Sequence, residues 1–309
     1  MSEKDDVQSA ISLLQQGKRK EAAAQLLSLE AKITDKGLRI QLIDLLLSAL
    51  DPIDECERLI MLSSEGAKIA NDYRRKDYQA HFMSRKAEFL MTKISFLQYK
   101  QGNLKLSPEW FEFSTEVDKN EFNELTAKID LIEKEIEELL QQSLRFAEES
   151  GNKTALGRVL MESASIESSR YLHYKAKFLR NNIRAKLWLK FDFLRNPFFE
   201  QLIIYPRKHA KRLQSFINAF TSNFLRAAKI FEELDDPTAG YAYHNLAIHL
   251  KSAYAFRATK KYFRKAKKIA EKYDDPLLKS KVNELEISIN AKNQDIPDYV
   301  NGEKRPRNE

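Results

Sequence analysis

The sequence predicts an all-α protein made of stacked antiparallel helix hairpins, an α-solenoid with no β-sheet. Apolar residues recur at intervals of three and four along most of the 309-residue chain, the pattern of helices that bury one face. The chain contains only 8 glycines and 8 prolines, too few for the frequent turns of a β-rich fold. One segment is also repeated late in the chain, and a period of about 40 residues in a helical chain indicates stacked hairpins.

Three segments show the clearest helical pattern. The first places Ile129, Ile132, Ile136, Leu139, Leu140, Leu144 and Ala147 on one face, with glutamates opposite. Similar patterns follow in VLMESASIESSRYLHYKAKFL and in FINAFTSNFLRAAKIFEEL. No segment alternates apolar and polar residues for long enough to form a strand, so each is predicted to be a helix.

Four dipeptides that end in proline predict boundaries between helices: Asp51-Pro52, Ser107-Pro108, Asp236-Pro237 and Asp275-Pro276. Proline suits the first position of a helix, where its missing N–H costs nothing. The preceding Asp or Ser can accept hydrogen bonds from the free N–H groups of that helix. The residue before proline also disfavours the α conformation, so the previous helix must end there.

The repeated segment is AKIFEELDDP, which ends at Pro237, and it returns 39 positions later as KKIAEKYDDP, which ends at Pro276. Fainter copies are AKIANDYRRKD, which starts at residue 67, and LRFAEESGNK, which starts at residue 144. The segment from Tyr241 to Pro276 resembles a tetratricopeptide repeat. The residues that carry the resemblance are Leu246, Ala247, Phe263, Ala266 and the final proline, together with the Gly17 to Ala22 step near the amino terminus. This resemblance implies a divergent solenoid whose concave groove is lined by the first helix of each hairpin.

We predict one repeat domain over residues 1–292, with a subdivision near 103–114 as an alternative, followed by a mobile polar tail over 293–309. The sequence MSEKDDVQSA is acidic where a secretory signal is basic and then apolar. The single cysteine, Cys56, cannot form an internal disulfide. No segment has the roughly 20 apolar residues of a membrane-spanning helix. These features predict a cytoplasmic protein without a transmembrane segment.

The tetratricopeptide resemblance places five residues on the groove: Tyr241, His244, Ile248, Lys251 and Ser252. A tyrosine, a histidine and a lysine side by side suit an extended or helical peptide that carries an acidic group. The alternative for the same residues is an ordinary solvated face, or the surface that meets the next hairpin.

The segment 170–229 is strongly basic, with 14 Lys or Arg against 2 acidic residues, a net charge of +12 in a chain whose total is +7. Aromatic residues alternate with these cations, a composition that suits phosphate backbones and unstacked bases or an anionic membrane surface. The candidate polyanion-binding residues are Arg180, Arg184, Lys186, Lys190, Arg207, Lys208, Lys211 and Arg212. The alternative is that the aromatic residues form core and the cations a solvated face. Residues 251–268 add eight more cations with no acidic residue between them.

Motifs for catalysis, metal binding or a cofactor are missing from the sequence: there is no glycine-rich phosphate loop, no paired-histidine motif and no Gly-x-Ser-x-Gly turn. We therefore predict a non-enzymatic scaffold or adaptor that binds a protein or peptide of acidic character in its groove. Binding of nucleic acid or another polyanion through 170–229 is the first alternative. An enzyme whose site residues come from several helices is the second.

Overall fold

The computed structural model describes residues 3–30, 32–102, 116–181, 207–253 and 255–290. Every regular element in these ranges is an α-helix, which confirms the predicted all-α fold without a sheet for this part of the chain. The chain divides into two compact units, Met1–Ile230 and Phe231–Glu309. The single domain over 1–292 stays a prediction, and both the alternative boundary near 103–114 and the tail over 293–309 lie outside the described residues.

Eleven helices occupy the described ranges. They are α1 (Glu3–Gln15), α2 (Arg19–Glu30), α3 (Lys36–Ala49), α4 (Cys56–Asp72), α5 (Lys76–Gly102), α6 (Glu116–Glu149), α7 (Lys153–Asn181), α8 (Arg207–Glu233), α9 (Thr238–Ser252), α10 (Phe256–Lys272) and α11 (Pro276–Asn290).

In unit 1, α6 is antiparallel to α5, whereas α7 is parallel to it. Between α5 and α6, Lys76 pairs with Glu149 at 2.7 Å and Lys100 pairs with Glu121 at 2.8 Å, so the start of each helix lies beside the end of the other. Between α5 and α7, by contrast, residues 78 positions apart meet at two places three turns apart: Ser84 donates to Glu162, and Ser95 lies 3.3 Å from His173. This alternation is the packing of stacked helix hairpins, as predicted.

Unit 2 follows the same rule on a smaller scale. Tyr243 of α9 stacks on Tyr262 of α10 with ring planes 7° apart and centroids 6.0 Å apart. In the next pair, Lys267 of α10 lies 3.1 Å from Glu286 of α11. The imidazole of His244 lies 3.2 Å from the carbonyl oxygen of Lys281, and Lys251 contacts Ser288; since both pairs are 37 positions apart, α9 and α11 run side by side in the same direction.

The core of unit 1 includes a close approach between α4 and α5 at Gly66. Phe82 is fully buried, and a Cβ atom on Gly66 would lie 2.9 Å from three carbon atoms of its ring. Atoms of real side chains do not approach this closely, so glycine is the residue that allows the two helices to meet here.

The repeated sequence segments share a left-handed residue at the end of four helix hairpins. The residues between α4 and α5, α6 and α7, α8 and α9, and α10 and α11 include one left-handed residue each: Arg74 (φ 55°), Gly151 (φ 68°), Asp235 (φ 53°) and Asp274 (φ 52°). After α4 and α8, the residue that follows the left-handed one donates its N–H to a carbonyl five positions earlier. Arg75 donates to Ala70 and Asp236 donates to Phe231, both at 2.9 Å. This is the Schellman arrangement that ends many helices.

The proline dipeptides behave as predicted in two places and differently in a third. Asp275 accepts hydrogen bonds from the N–H groups of Leu277 and Leu278, both at 3.0 Å, and α11 starts at Pro276. Asp236 accepts from Thr238 at 2.7 Å at the start of α9. Asp51 also accepts from Ile53 at 2.7 Å, but the chain makes a turn there and α4 starts only at Cys56. Ser107-Pro108 lies outside the described residues.

Candidate ligand-binding cavities

A cavity of about 390 Å³ lies between α9 and α11 in unit 2, and we call it the α9–α11 cavity. Four of the five predicted groove residues line it: His244, Ile248, Lys251 and Ser252. The α11 side is formed by Lys281, Glu284, Leu285 and Ser288. The helical spacing of 244, 248, 251 and 252 places these four residues on one face of α9.

Tyr241, the fifth predicted residue, does not line this cavity. Its hydroxyl donates to both carboxylate oxygens of Asp275, at 3.0 and 3.2 Å. Burial and the neighbouring Asp275 carboxylate raise the pKa of Tyr241 to about 12. Since Asp275 also caps α11, Tyr241 holds the start of that helix beside α9.

His244 contributes hydrogen bonding rather than charge. Its side chain is buried, and its Nε2 and Nδ1 lie 3.2 Å from the Lys281 carbonyl oxygen and the Asn245 side-chain oxygen. Burial lowers the pKa of His244 and outweighs these contacts. The imidazole is therefore neutral at pH 7 and fixes the α11 backbone along the cavity.

The charge of the α9–α11 cavity comes from its lysines. The Lys251 ammonium contacts the Ser288 hydroxyl, and Lys281 lies 5.8 Å from the centre of the Tyr241 ring. Glu284 is the acidic side chain among the lining residues. Ile248, which is 38% exposed, adds an apolar surface between these groups. An apolar contact flanked by two ammonium groups suits a segment that combines an apolar and an acidic side chain.

A second cavity, of about 580 Å³, lies in unit 1 among α3, α5 and α7. We call it the α3–α5–α7 cavity, and sequence reasoning did not predict it. Its charged lining residues are Asp44, Arg75, Asp77, His81, Arg85, Arg158 and Glu162. In the part of the chain that the structure describes, no cluster of His, Cys, Asp and Glu side chains is arranged to hold a metal ion.

His81 of α5 joins the two neighbouring helices in this cavity. Its Nε2 donates to Asp44 of α3 at 2.8 Å, and its Nδ1 lies 3.7 Å from the Glu162 carboxylate of α7. Burial opposes the charged imidazole, but hydrogen bonds and attraction from the two carboxylates prevail and raise the pKa of His81 to about 9. The reciprocal effect appears at Asp44: burial would raise its pKa, yet the His81 hydrogen bond and nearby positive charges lower it.

Three arginines surround this ion cluster. Arg75 pairs with Asp77 at 2.9 Å, and Arg85 donates to the Leu47 carbonyl at 3.0 Å. Arg158 is exposed on the cavity wall and makes no hydrogen bond or ion pair with any described residue. The cavity can thus offer one cation to a ligand without breaking an existing pair.

Most of the predicted polyanion-binding residues lie beyond the described side chains. Arg184, Lys186 and Lys190 fall in an undescribed range, and the side chains of Arg180, Arg207 and Lys208 are not described either. Lys211 is exposed on α8, and Arg212 lies over the Tyr174 ring, 5.1 Å from its centre. Binding of nucleic acid or another polyanion through residues 170–229 therefore stays a prediction.

The residues of the α3–α5–α7 cavity were missed because no local motif connects them. Asp44 precedes His81 by 37 positions, and Ser84 precedes its partner Glu162 by 78. These separations are close to one and two repeat lengths, so a search for charged residues at multiples of about 39 along the chain is the signal that finds them.

Cys56 is buried, and its Sγ lies 3.4 Å from the Phe89 carbonyl oxygen. This is the small, buried side chain that its apolar surroundings predict.

No protein-family model matches this chain, and no curated protein has a detectably similar sequence. Within the described ranges, none of the helices combines the length and apolarity needed to cross a bilayer.

Proposed function

We propose that the protein is a non-enzymatic, tetratricopeptide-like scaffold that binds a peptide segment in the α9–α11 cavity. The bound segment carries at least one acidic side chain next to an apolar one. The observation that supports this proposal is that four of the five residues that the tetratricopeptide resemblance places on the groove line one cavity in unit 2.

The chemistry of the cavity favours binding over catalysis. Burial lowers the pKa of His244, and its Nε2 lies 3.2 Å from the Lys281 carbonyl oxygen, so this imidazole is engaged in holding α11. The serine hydroxyls at 252 and 288 contact the Ile248 carbonyl and the Lys251 ammonium, so neither is paired with a base that would activate it. What remains for a ligand is the apolar contact of Ile248, the ammonium groups of Lys251 and Lys281 beside the Glu284 carboxylate, and shape.

The two units share one feature that supports a scaffold role. Each has a cavity between alternate helices, α9 and α11 in unit 2 and α3, α5 and α7 in unit 1. Within a stack of hairpins, alternate helices occupy equivalent positions, and such faces are the binding surfaces of helical-repeat proteins. A cytoplasmic location is part of the proposal and is supported by the single, buried cysteine.

The test is selection of peptides from a random 12-residue display library with the purified full-length chain. Affinities of the recovered peptides are then measured by fluorescence polarisation. We expect enrichment of Asp and Glu next to an aliphatic or aromatic residue. Ile248→Glu should weaken binding at least 10-fold, because it replaces the apolar contact with a charge that repels the ligand.

Ile287→Glu is the matched control for this experiment. Ile287 is also an exposed isoleucine of unit 2, at 70%, but it does not line the cavity. The affinity of the Ile287→Glu variant for the selected peptides should stay within about twofold of that of the natural chain. Peptides without acidic enrichment, or equal loss in the two variants, would overturn the proposal.

A further inference from the structure

The solvent face of α10 carries a row of four cations: Arg257, Lys261, Arg264 and Lys268. Their spacing of four, three and four residues places them within an arc of about 60° on the helix, over a length of about 16 Å. All four are exposed. We call this row the basic face.

The opposite side of α10 is committed to the core of unit 2. Thr259, Phe263, Ala266 and Ala270 are buried there. The basic face is therefore held outward on a helix whose rotation is fixed by packing.

The cations of the basic face differ from other cations of unit 2 in their partners. Lys267, Lys272 and Lys279 each form an ion pair, with Glu286, Asp235 and Asp274 respectively. By contrast, Arg257, Arg264 and Lys268 have no hydrogen bond or ion pair with any described residue, and Lys261 only lies over the Tyr262 ring at 5.3 Å.

Folding alone does not favour this row. Like charges three or four residues apart on a helix repel one another and destabilise it. Acidic side chains at some of these positions would relieve the repulsion without touching the core. A row of unpaired cations that the fold does not need indicates an anionic partner.

The surroundings of the row decide which polyanion fits. An amphipathic helix that lies in a membrane surface needs a free apolar face, and that face of α10 is buried. An acidic protein partner would require an apolar or aromatic anchor near the centre of the contact. The exposed aromatic residue of α10, Phe256, lies about 100° around the helix from the row.

A phosphodiester backbone requires neither an insertion face nor an anchor. One strand of nucleic acid carries a phosphate about every 3.4 Å of helix axis, so the length of the basic face matches about five phosphates. We propose that the basic face of α10 binds the phosphate backbone of nucleic acid. Tyr262 is already stacked on Tyr243, so the row offers no base-stacking platform, and binding is independent of sequence.

The experiment measures binding of a fluorescein-labelled 20-nucleotide oligo(dT) and of a 20-base-pair duplex to the full chain between 50 and 200 mM salt. Four phosphate contacts predict a slope of log affinity against log salt of about −3 for the single strand and about −3.6 for the duplex. Binding of either form with this dependence supports the proposal, and the comparison shows which form is preferred.

The test variant is K261E/R264E/K268E, and the matched control is K20E/K68E/K128E. The control removes three exposed cations of unit 1 and changes the net charge by the same amount. The test variant should lose at least 10-fold in affinity at 50 mM salt, with a slope smaller by about 2, whereas the control should stay within about threefold. If the glutamate variant does not fold, K261Q/R264Q/K268Q replaces it, since this variant removes the same cations without adding acidic charge. It should also lose at least 10-fold in affinity at 50 mM salt.

Three results would overturn the proposal. The first is no binding of either oligonucleotide at 50 mM salt. The second is equal loss in test and control variants, which would mean that net charge alone is responsible. The third is that the basic face is needed for binding poly-L-glutamate or vesicles of phosphatidylcholine with one quarter phosphatidylserine, but not for binding oligonucleotides.

Discussion

His81 Nε2 lies 2.8 Å from Asp44 Oδ1, which connects the middle helix of the α3–α5–α7 cavity to its neighbour. The imidazole is about one-quarter exposed, and the Asp44 carboxylate is about half exposed. A protonated histidine between carboxylates of two other helices ties three helices together, provided that it keeps its proton.

Replacement of His81 by Gln should destabilise unit 1, because Asp44 and Glu162 lose the cation between them. We expect the free energy of unfolding to fall by about 2 kcal/mol, less than for a fully buried pair since Asp44 is partly solvated. Urea unfolding followed by circular dichroism measures the change. In the double variant H81Q/D44N the effects of the two changes should not add, and additive effects would show that the pair is not coupled.

The stability of the protein should decrease in mildly alkaline solution. The pKa of His81 is 6.5 when unperturbed and about 9 in the folded chain. The folded state therefore holds the proton more tightly than the unfolded state. The resulting contribution to the free energy of unfolding is complete below pH 6.5 and is lost as the pH rises through 9. The free energy of unfolding should fall by up to about 3 kcal/mol over this range. Urea unfolding at pH 6.5 and pH 9.5 should show the loss in the natural chain and little of it in H81Q.

His249 in unit 2 should have the opposite dependence. Burial and the neighbouring imidazole of His244 lower its pKa to about 4. The folded state then binds the proton less tightly than the unfolded state. The contribution of His249 to the free energy of unfolding is therefore complete above pH 6.5 and is lost as the pH falls towards 4. Titration of the imidazole protons by NMR, with H249Q to assign the signal, should give a pKa well below 6. A value near 6.5 would contradict the desolvation of this half-buried side chain.

Gly66→Ala should destabilise unit 1 by about 1 to 3 kcal/mol, because the new methyl group would overlap the buried Phe82 ring. Thermal or urea unfolding measures the loss. Phe82→Leu alone should also be destabilising, since it leaves a cavity. The pair G66A/F82L should recover part of the combined loss. An alanine variant as stable as the natural chain would show that the helices are not in close contact here.

Arg74→Gly should stabilise the chain by about 0.5 to 1 kcal/mol. Arg74 is exposed and adopts φ of 55°, a conformation that glycine reaches without steric cost. The control is Lys68→Gly, which places glycine inside α4 at an exposed position and should cost about 1 kcal/mol. Equal destabilisation by both changes would contradict the left-handed ending of α4.

The sequence predicted local features well because their causes are local. The helical periodicity, the caps at Asp236 and Asp275 and the face of α9 that contains His244 and Ile248 each depend on residues within a few positions of one another. Predictions that depend on a distant partner were less complete. Tyr241 shares the helix of the groove residues, yet its hydroxyl is taken by Asp275, 34 positions away. The cluster at His81 depends on three helices, so no window of one helix contains it.

Of the five left-handed residues in the described ranges, four, at 74, 151, 235 and 274, stand where an even-numbered helix passes to an odd-numbered one, and the fifth, Gly17, lies between α1 and α2. Because these joints share a backbone, the hairpin is the smallest piece of this chain that can be copied, removed or exchanged without redesigning a connection.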